Sequence, residues 1–396
     1  MILFSKPAEI TAEYKIVTPL FLGGASQEAD KDVFRTASFK GALRFWWRAL
    51  NWAAKLRDNG NNPEKALTAL HNDEGRLFGT ASDGDNSRQS RFQLSTVIKD
   101  SKLVEKGGKS EISYLLGMGL YSYSSGMQRD YLSGGTVSVK IRFKPNTASS
   151  DIDSVRNALI ALGFFGGLGS RARKGFGSLA IQSISDENGS AKTFNALSDI
   201  EDFISTLDFS APADAPLSAI SSATRIDASV FGKNSLTLLK QISDEQQLYR
   251  SYGKDGKVNG KDARRNFIED HDNVYAAINS NKPLTQLPKR SVFGLPHNYH
   301  FSSGGDMEVA PDKKGRRASP LLIHIHQFPN GDCVALQTLL QSLFLPKGIA
   351  VKAENPKNRR NAQHIEKRDV DYHVIHRYLG GFAKIDNKFK VLRNGQ

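Results

Sequence analysis

A glycine-rich loop between a predicted helix and a predicted strand constrains this chain more than any other segment. Residues 163–178 read GFFGGLGSRARKGFGS and include six glycines. Glycine adopts backbone conformations that other residues avoid, so the chain turns tightly here or passes close to another surface. Arg171, Arg173 and Lys174 lie in the same loop, and guanidinium and ammonium groups prefer anions as partners. The combination predicts a loop that binds phosphate.

Residue periodicity predicts six elements in the first 185 residues. They are a strand, a helix, two strands, a helix and a strand, at residues 13–18, 38–56, 91–98, 135–143, 154–162 and 176–184. Ser38 is the predicted N-cap of the first helix, and Gly163 ends the second helix. This β-α-β-β-α-β order is that of the ferredoxin-like fold.

A stretch rich in Ala, Pro and Ser within residues 200–219 predicts a boundary between two domains, 1–210 and 211–396. The second half loosely repeats the plan of the first. Its predicted elements are a strand, a helix, two strands, a helix and a short strand, at 224–231, 262–278, 320–326, 334–344, 370–378 and 388–392. The predicted fold is therefore α+β, with two ferredoxin-like (RRM-like) modules that carry long insertions. The second module is degenerate.

The charge of the chain indicates its partner. Lys and Arg total 54 against 41 for Asp and Glu, which gives a formal net charge of +13 and a pI near 9.6. Such an excess is typical of proteins that bind polyanions. Cys333 is the only cysteine, which excludes an internal disulfide and a Cys-based zinc site and favours a reducing compartment. No apolar run approaches the length of a membrane span, so we expect a soluble, cytoplasmic protein.

The first predicted helix has one cationic face. At about 100° per residue, Lys40, Arg44 and Arg48 fall within about 80° of one another. Trp46 and Trp47 lie in a separate apolar arc and are predicted to pack in the core. The cationic face supports RNA binding if it neighbours the glycine-rich loop. A solvated helix face is the alternative.

Residues 167–172 also fit the dinucleotide fingerprint G-x-G-x-x-A. That fingerprint needs a strand before the glycines and a helix after them, whereas here the order is reversed. A nicotinamide-dependent oxidoreductase is therefore disfavoured, and no P-loop spacing occurs. The loop is better suited to grip the sugar-phosphate backbone of a single strand, through backbone N–H groups and arginine side chains. The alternative is a tight turn whose arginines pair with carboxylates.

The histidines do not form a convincing metal site. His297 and His300 make an H-x-x-H pattern, and His324 and His326 share one face of a strand, but no carboxylate accompanies them. We expect structural histidines, no metal and no cofactor. A metal-independent endoribonuclease that uses one histidine as general acid stays open, because its partner groups need not be close in sequence.

Three further basic segments are each predicted to be solvated loops, at residues 254–265, 313–317 and 347–368. Their number adds weight to a nucleic-acid partner. Three tyrosines bracket a stretch rich in Gly and Ser and can stack on bases where they are exposed: Tyr121, Tyr123 and Tyr131.

Three stretches share a pattern with a known family: IVTPLFLGG at 16–24, SFKGALRFWWRAL at 38–50 and GGLGSRARKGFGS at 166–178. They resemble the RAMP superfamily of CRISPR proteins, and within it the subunit-one family of type III-B (Cmr) effector complexes. FGLP at 293–296 and RRASPL at 316–321 extend the resemblance across nearly the whole chain.

The resemblance implies two ferredoxin-like modules and a non-catalytic role in antiviral defence. Members of this family help to hold guide and target RNA near the 3′ part of the CRISPR RNA, beside other RAMP subunits. Two motifs carry the implied RNA contacts. The helix motif contributes Lys40, Arg44 and Arg48, and the loop motif contributes Gly166, Gly167, Gly169, Arg171, Arg173, Lys174, Gly175 and Gly177. The second module has only Lys384 near its Gly380-Gly381 pair, which gives little support for RNA contact there.

Overall fold

Two antiparallel sheets, one in each half of the chain, organise the fold. The computed structural model describes residues 7–23, 34–81, 87–253, 256–280, 282–301, 304–312 and 315–395, without the side chains of 358–361. No helix within these ranges is long and apolar enough to span a bilayer. The elements of the first half are β1 (Glu9–Ile16), α1 (Thr36–Asp58), α2 (Pro63–Phe78), β2 (Phe92–Lys99), β3 (Lys102–Val104), α3 (Ser113–Leu116), β4 (Tyr121–Ser122), β5 (Gly126–Met127), β6 (Tyr131–Ser133), β7 (Thr136–Phe143), α4 (Ser149–Phe165), β8 (Leu179–Asp186), β9 (Ala191–Thr193) and α5 (Leu197–Ser205).

The second half adds helices, 3₁₀ turns and strands within the described ranges. In chain order they are β10 (Arg225–Gly232), α6 (Ser235–Arg250), β11 (Lys257–Val258), β12 (Lys261–Asp262), α7 (Ile268–Asn279), a 3₁₀ turn (Lys289–Phe293), β13 (His297–His300), β14 (Asp306–Pro311), β15 (Leu321–Gln327), β16 (Cys333–Leu339), β17 (Val351–Asn355), β18 (Asn358–Ile365), α8 (His373–Gly380), a 3₁₀ turn (Gly381–Lys384) and β19 (Lys390–Arg393).

The first sheet has the strand order β2-β7-β1-β8-β9, with every neighbouring pair antiparallel. In β1, buried residues alternate with half-exposed ones, because only one face packs on α1 and α4. On that face Tyr14 donates a hydrogen bond to the Leu159 carbonyl of α4 at 3.0 Å. The β-α-β-β-α-β order predicted for this half is observed among β1, α1, β2, β7, α4 and β8. The mixed α+β class is confirmed.

The second sheet has the order β15-β16-β10-β19. Every residue of β16 is buried, as is all of β15 except its last residue, because both faces of this sheet are covered. Leu322 and Leu336 join the hydrophobic core of the first half. Ile323 and Ala335 join a second core built with α6 and α8. The second sheet therefore lies between two cores, and one of its faces packs against the first half of the chain.

Insertions enlarge both halves. Between β2 and β7, α3 packs on α6 through Leu115 and Leu116, which share a core with Leu238. In the second half, β13, β14, β17 and β18 form a separate four-stranded sheet with its own small core around Val309 and Val351. The boundary predicted at residue 210 falls between α5 and β10 and stays a prediction.

The helix predicted at residues 262–278 is misplaced. A helix, α7, begins only at Ile268, and the helix that packs behind the second sheet is α6. Sequence analysis missed α6 because its apolar periodicity is weak: Ser243, Glu245 and Gln246 are all buried. Glu245 is paired with Arg264, and Gln246 accepts a hydrogen bond from Lys174.

Two other expectations are also wrong. The segment predicted as a solvated loop at 347–368 contains β17 and β18, and its Lys352 pairs with Asp312 at 2.7 Å. Ser38 is not the N-cap of α1, which begins at Thr36 and has Arg35 at its N-cap without a side-chain hydrogen bond. The other two basic segments include residues outside the described ranges, at 254–255 and 313–314.

The glycine-rich loop packs directly on β15. Lys174 pairs with Ile323 as a parallel β-bridge, and the Ile323 N–H donates to the Arg173 carbonyl at 3.2 Å. A Cβ atom at Gly175 would lie 2.6 Å from Cδ1 of Leu239, which is closer than packed carbon atoms approach. Glycine is therefore needed so that the loop backbone can reach the second half.

Two buried histidines of β15 complete this seam. Nδ1 of His324 lies 2.5 Å from the Gly166 carbonyl oxygen, and Nδ1 of His326 lies 3.3 Å from that of Gly163. Burial lowers the pKa of His324 to about 4. Burial, with a smaller contribution from His324, also lowers the pKa of His326 well below its usual range. Both imidazoles are therefore neutral and donate to the carbonyls, a structural role.

The stability of the protein should fall as the pH drops from about 6.5 to 4. In this window the unfolded chain binds protons at both imidazoles while the folded chain does not, so acid favours unfolding. His324 alone accounts for a decrease of about 3 kcal/mol at pH 4. The measurement is the free energy of urea unfolding against pH, in which His324→Gln should show a shallower slope. The exposed His373→Gln should keep the wild-type slope, and equal slopes in both variants would contradict the assignment.

Gly177→Ala should destabilise the protein by about 2–4 kcal/mol. Gly177 has φ of +59°, and an added Cβ would collide with the backbone carbonyl oxygen of Leu168. Gly189 is a matched control, because its φ is +82° and no heavy atom lies within 4 Å of the position of an added Cβ. Gly189→Ala should therefore cost only the strain of a left-handed backbone, about 1–2 kcal/mol. If urea unfolding gives equal destabilisation for the two variants, the packing argument is wrong.

Candidate nucleic-acid interface

The backbone of the glycine-rich loop is largely bonded within the protein. The N–H of Gly166 donates to the Leu162 carbonyl at 3.0 Å, and that of Gly177 donates to the Pro19 carbonyl at 2.8 Å. Gly166, Gly175 and Gly177 are buried. The hypothesis that these N–H groups grip phosphate is therefore wrong for Gly166 and Gly177. Their role is to let the loop pack, as the contacts of Gly175 also show.

The three loop cations meet neutral partners. Arg171, exposed and with φ of +63°, donates to the Met118 carbonyl at 3.0 Å. Arg173 donates to the Ser319 carbonyl at 2.7 Å and lies 4.9 Å from the ring centre of Phe45. Nζ of Lys174 lies 3.3 Å from Oε1 of Gln246. No carboxylate in the described part of the chain pairs with any of the three, unlike the acid-paired turn that was the alternative.

Arginines of the second half surround the same loop. Burial lowers the pKa of Arg171, and Arg316 lowers it further. Burial, and after it Arg317, lowers the pKa of Arg173 to about 10. The pKa of Lys174 lies well below its usual range, because of burial and then of Arg250 and Arg171. Cations from both halves therefore converge at one edge of the seam.

The cationic face of α1 is formed as predicted, but two of its three cations are paired. Nε of Arg44 and Nη1 of Arg48 each lie 2.6 Å from the same oxygen of Glu74, a buried carboxylate of α2. Lys40 lies 5.6 Å from the ring centre of Phe92, and burial followed by the charge of Arg44 lowers its pKa. The helix α2 was not predicted, so this pairing could not be foreseen.

The helix and the loop touch through other residues. Phe45 packs under Arg173, and a Cβ atom at Gly166 would lie 2.5 Å from Nε1 of Trp46. Trp46 and Trp47 are buried, which confirms the predicted core role. Lys40, Arg44 and Arg48 instead contact α2 and β2. The structure therefore brings α1 to the loop without joining the two sets of cations.

Met118, which contacts Arg171, lines one pocket together with Tyr123. Met118, whose carbonyl accepts from Arg171, is 76% exposed, and Tyr123 is 81% exposed. Tyr121 is half-buried against Tyr123, and Tyr131 packs on Phe21. Of the three tyrosines considered for base stacking, Tyr123 alone is fully available.

Sequence analysis missed the cations that the second half contributes. Arg250 ends α6, and Arg290 lies in the first 3₁₀ turn. Each is an isolated residue in sequence, so no local pattern marks it. Arg316 and Arg317 were part of a noted basic segment, but only the fold shows that they lie beside the glycine-rich loop.

Comparison with known proteins agrees with this architecture. Residues 13–180 match the family model of the RAMP superfamily. The crystal structure of Cmr1 from Pyrococcus furiosus (apo form) is similar, with a TM-score of 0.53 and 18% identity, over 98% of this chain and 99% of that chain.

A second solved structure, the cryo-EM structure of the Type III-B Cmr-beta bound to cognate target RNA, contains a similar chain. Its TM-score is 0.50 and its identity 11%, over 96% of this chain and 99% of that chain. At such identities the likeness is one of fold. No curated protein matches the sequence. The residues that match the RAMP superfamily model, 13–180, hold both the α1 motif and the whole glycine-rich loop.

Proposed function

We propose that this protein is a non-catalytic, RNA-binding subunit of a type III-B CRISPR (Cmr) effector complex in the cytoplasm. In this role it grips the CRISPR RNA near its 3′ end, the target RNA, or both, beside other RAMP subunits. Guide pairing would supply the sequence specificity, while the protein holds backbone and shape. The fold shared with chains of Cmr structures and the match of residues 13–180 to the RAMP superfamily model support the proposal.

The observation that carries the proposal is the set of loop cations that have no carboxylate partner in the described part of the chain. Burial, and after it the charge of nearby arginines, lowers the pKa values of Arg171, Arg173 and Lys174. Like charges held together without counter-ions are unfavourable in the free protein, and a polyanion relieves that repulsion. Met118 beside Arg171, and Tyr123 in the same pocket as Met118, add exposed surfaces against which a base can pack.

The two halves fit the proposal as a pair of ferredoxin-like modules. In the first, β8-β1-β7-β2 gives the sheet order, and in the second, β19-β10-β16-β15 does so. The glycine-rich loop precedes the last strand of the first module and packs against the second module. An RNA strand bound there would contact both modules along their seam.

Binding rather than catalysis is proposed because the histidines of the seam are inaccessible. His324 and His326 are fully buried, whereas a general acid must reach the leaving oxygen. The alternative is an endoribonuclease that processes guide RNA. Incubation of the protein with repeat-containing RNA in EDTA distinguishes the two: intact, bound RNA supports the subunit, and specific cleavage contradicts it.

The double variant Arg171→Glu/Arg316→Glu should bind single-stranded RNA at least about tenfold more weakly than wild type in 0.1 M salt. Both side chains are exposed, so the fold should tolerate the change. The slope of log affinity against log salt concentration should also become less steep. Its magnitude should decrease by about 0.7 for each phosphate that the variant no longer neutralises. Fluorescence anisotropy with a labelled 20-nucleotide RNA measures both quantities.

A matched control changes the net charge equally at a distance from the loop. Lys192 in β9 and Lys388 before β19 are also exposed, so Lys192→Glu/Lys388→Glu should keep most of the affinity and the wild-type salt slope. Equal weakening by both double variants would mean that net charge alone drives binding, and the loop assignment would then be wrong.

The α1 cations are proposed as secondary RNA contacts. Arg44→Gln/Arg48→Gln should weaken RNA binding less than the loop variant does, because Glu74 already neutralises part of their charge. The same variant should be destabilised by about 1–3 kcal/mol, since it leaves the buried Glu74 carboxylate without its partners. Anisotropy and urea unfolding on one preparation test both halves of this expectation. A larger decrease in RNA affinity than in the loop variant would place the primary contact on α1.

A further inference from the structure

Behind the loop, Lys174 enters a cluster of cations formed by the second half. Its Nζ lies 3.3 Å from Oε1 of Gln246 in α6, and Arg250 follows one turn later on the same helix. Arg290 donates through Nη1 to the Arg250 carbonyl at 3.0 Å and lies 4.7 Å from the ring centre of Tyr299. His297 packs on the same tyrosine, with ring centres 4.9 Å apart. His297 also interacts electrostatically with Arg290, Arg250 and Lys174, so the four basic groups lie near one another.

The polar groups of this cluster are poorly satisfied. The Arg250 guanidinium lies 4.7 Å from the Phe293 ring centre, and its side chain has no hydrogen-bond acceptor among the described residues. Its Nε atom is buried and unpartnered, as are Nε of Arg290 and Nε2 of the fully buried Gln246. Buried donors without acceptors are costly, so a ligand that supplies several oxygens would be favoured here.

The charge of the cluster indicates what that ligand carries. Arg250 and Arg290 are cationic, and among the described residues the carboxylate paired with this group is Asp270, at 3.8 Å from Nε of Arg290. The Asp270 carboxylate accepts hydrogen bonds from the backbone N–H groups of Lys289 and Arg290, at 2.7 and 2.8 Å. Positive charge therefore exceeds negative charge in this cluster within the described residues. A phosphate monoester, with a charge near −2 at neutral pH and three acceptor oxygens, matches both requirements better than a singly charged diester.

We propose that Lys174, Arg250, Arg290 and His297 form a binding site for one phosphate monoester. The assignment rests on the proposed function in one respect: the monoester would be the terminal phosphate of an RNA whose chain runs over Arg171 and Arg173. Free phosphate has the same chemistry, and the experiments below separate the two sources.

His297 gives the site a measurable signature. Its pKa lies well below the usual range because of burial and then of Arg290, Arg250 and Lys174, so the empty site holds a neutral imidazole. An anion among these cations offsets their repulsion and raises the pKa of His297. Binding of a phosphate monoester near neutral pH is therefore coupled to proton uptake. Isothermal titration calorimetry in buffers of different ionisation enthalpy measures that uptake.

The direct experiment compares three forms of one ten-nucleotide RNA: with a 3′-phosphate, with a 5′-phosphate and with hydroxyls at both ends. Wild type should bind one phosphorylated form about tenfold more tightly than the hydroxyl form. Arg250→Gln should abolish this preference, and Arg250→Lys, which keeps the charge, should retain part of it. Arg393→Gln is the matched control, because Arg393 also lies on an aromatic ring, 4.4 Å from the centre of Phe209, with a buried and unpartnered Nε.

The outcomes separate the site from the wider function. Equal binding of all three RNAs by the wild type, together with weaker RNA binding by Arg171→Glu/Arg316→Glu, overturns the site and leaves the proposed function intact. A different result is that no RNA binds, while inorganic phosphate raises the melting temperature of wild type and not of Arg250→Gln. That result supports a phosphate site at these residues and contradicts RNA as the source of the phosphate. A preference for the phosphorylated end that survives Arg250→Gln overturns the site, as does monoester binding without proton uptake.

Discussion

The close approach of the glycine-rich loop to β15 is the contact on which the rest of the structure depends. Backbone at Gly175 reaches Leu239 and Ile323 at distances that a side chain would forbid. On one side of this contact, His324 and His326 bond to the end of α4. On the other side, Arg171, Arg173 and Lys174 emerge beside the arginines of the second half. One packing requirement therefore joins the two sheets and concentrates the positive charge.

Most strands of both sheets could be predicted because their patterns of apolar residues are local and strong. The predicted strands at 135–143 and 320–326 lie within one residue of β7 and β15 at each end. α6 escaped prediction because Glu245 and Gln246, polar and buried, interrupt its apolar pattern. Their burial is tolerated only because Arg264 and Lys174, which are distant in sequence, provide partners. Such long-range pairing leaves no local signal.

The candidate site was predictable in its residue types and not in its surroundings. Glycine and arginine spacing identified the loop, and a helical wheel identified the cations of α1. Neither method could show that Glu74 neutralises part of the helix face, or that buried loop glycines have already used their N–H groups. Nor could they show that Arg250 and Arg290 lie beside Lys174. The character of a charged surface depends on which partners the fold brings to it.

The second sheet is synthesised well after the surface of α4 that it covers. Ser178, at the end of the glycine-rich loop, precedes Leu321, the first residue of β15, by 143 residues (321 minus 178). At ribosomal rates of about 5–20 residues per second, this separation amounts to roughly 7–30 s. During that time the surface of α4 that will meet β15 has no cover, and its apolar residues are exposed to other chains. A nascent first half is therefore a natural client for chaperones until the second sheet has been synthesised.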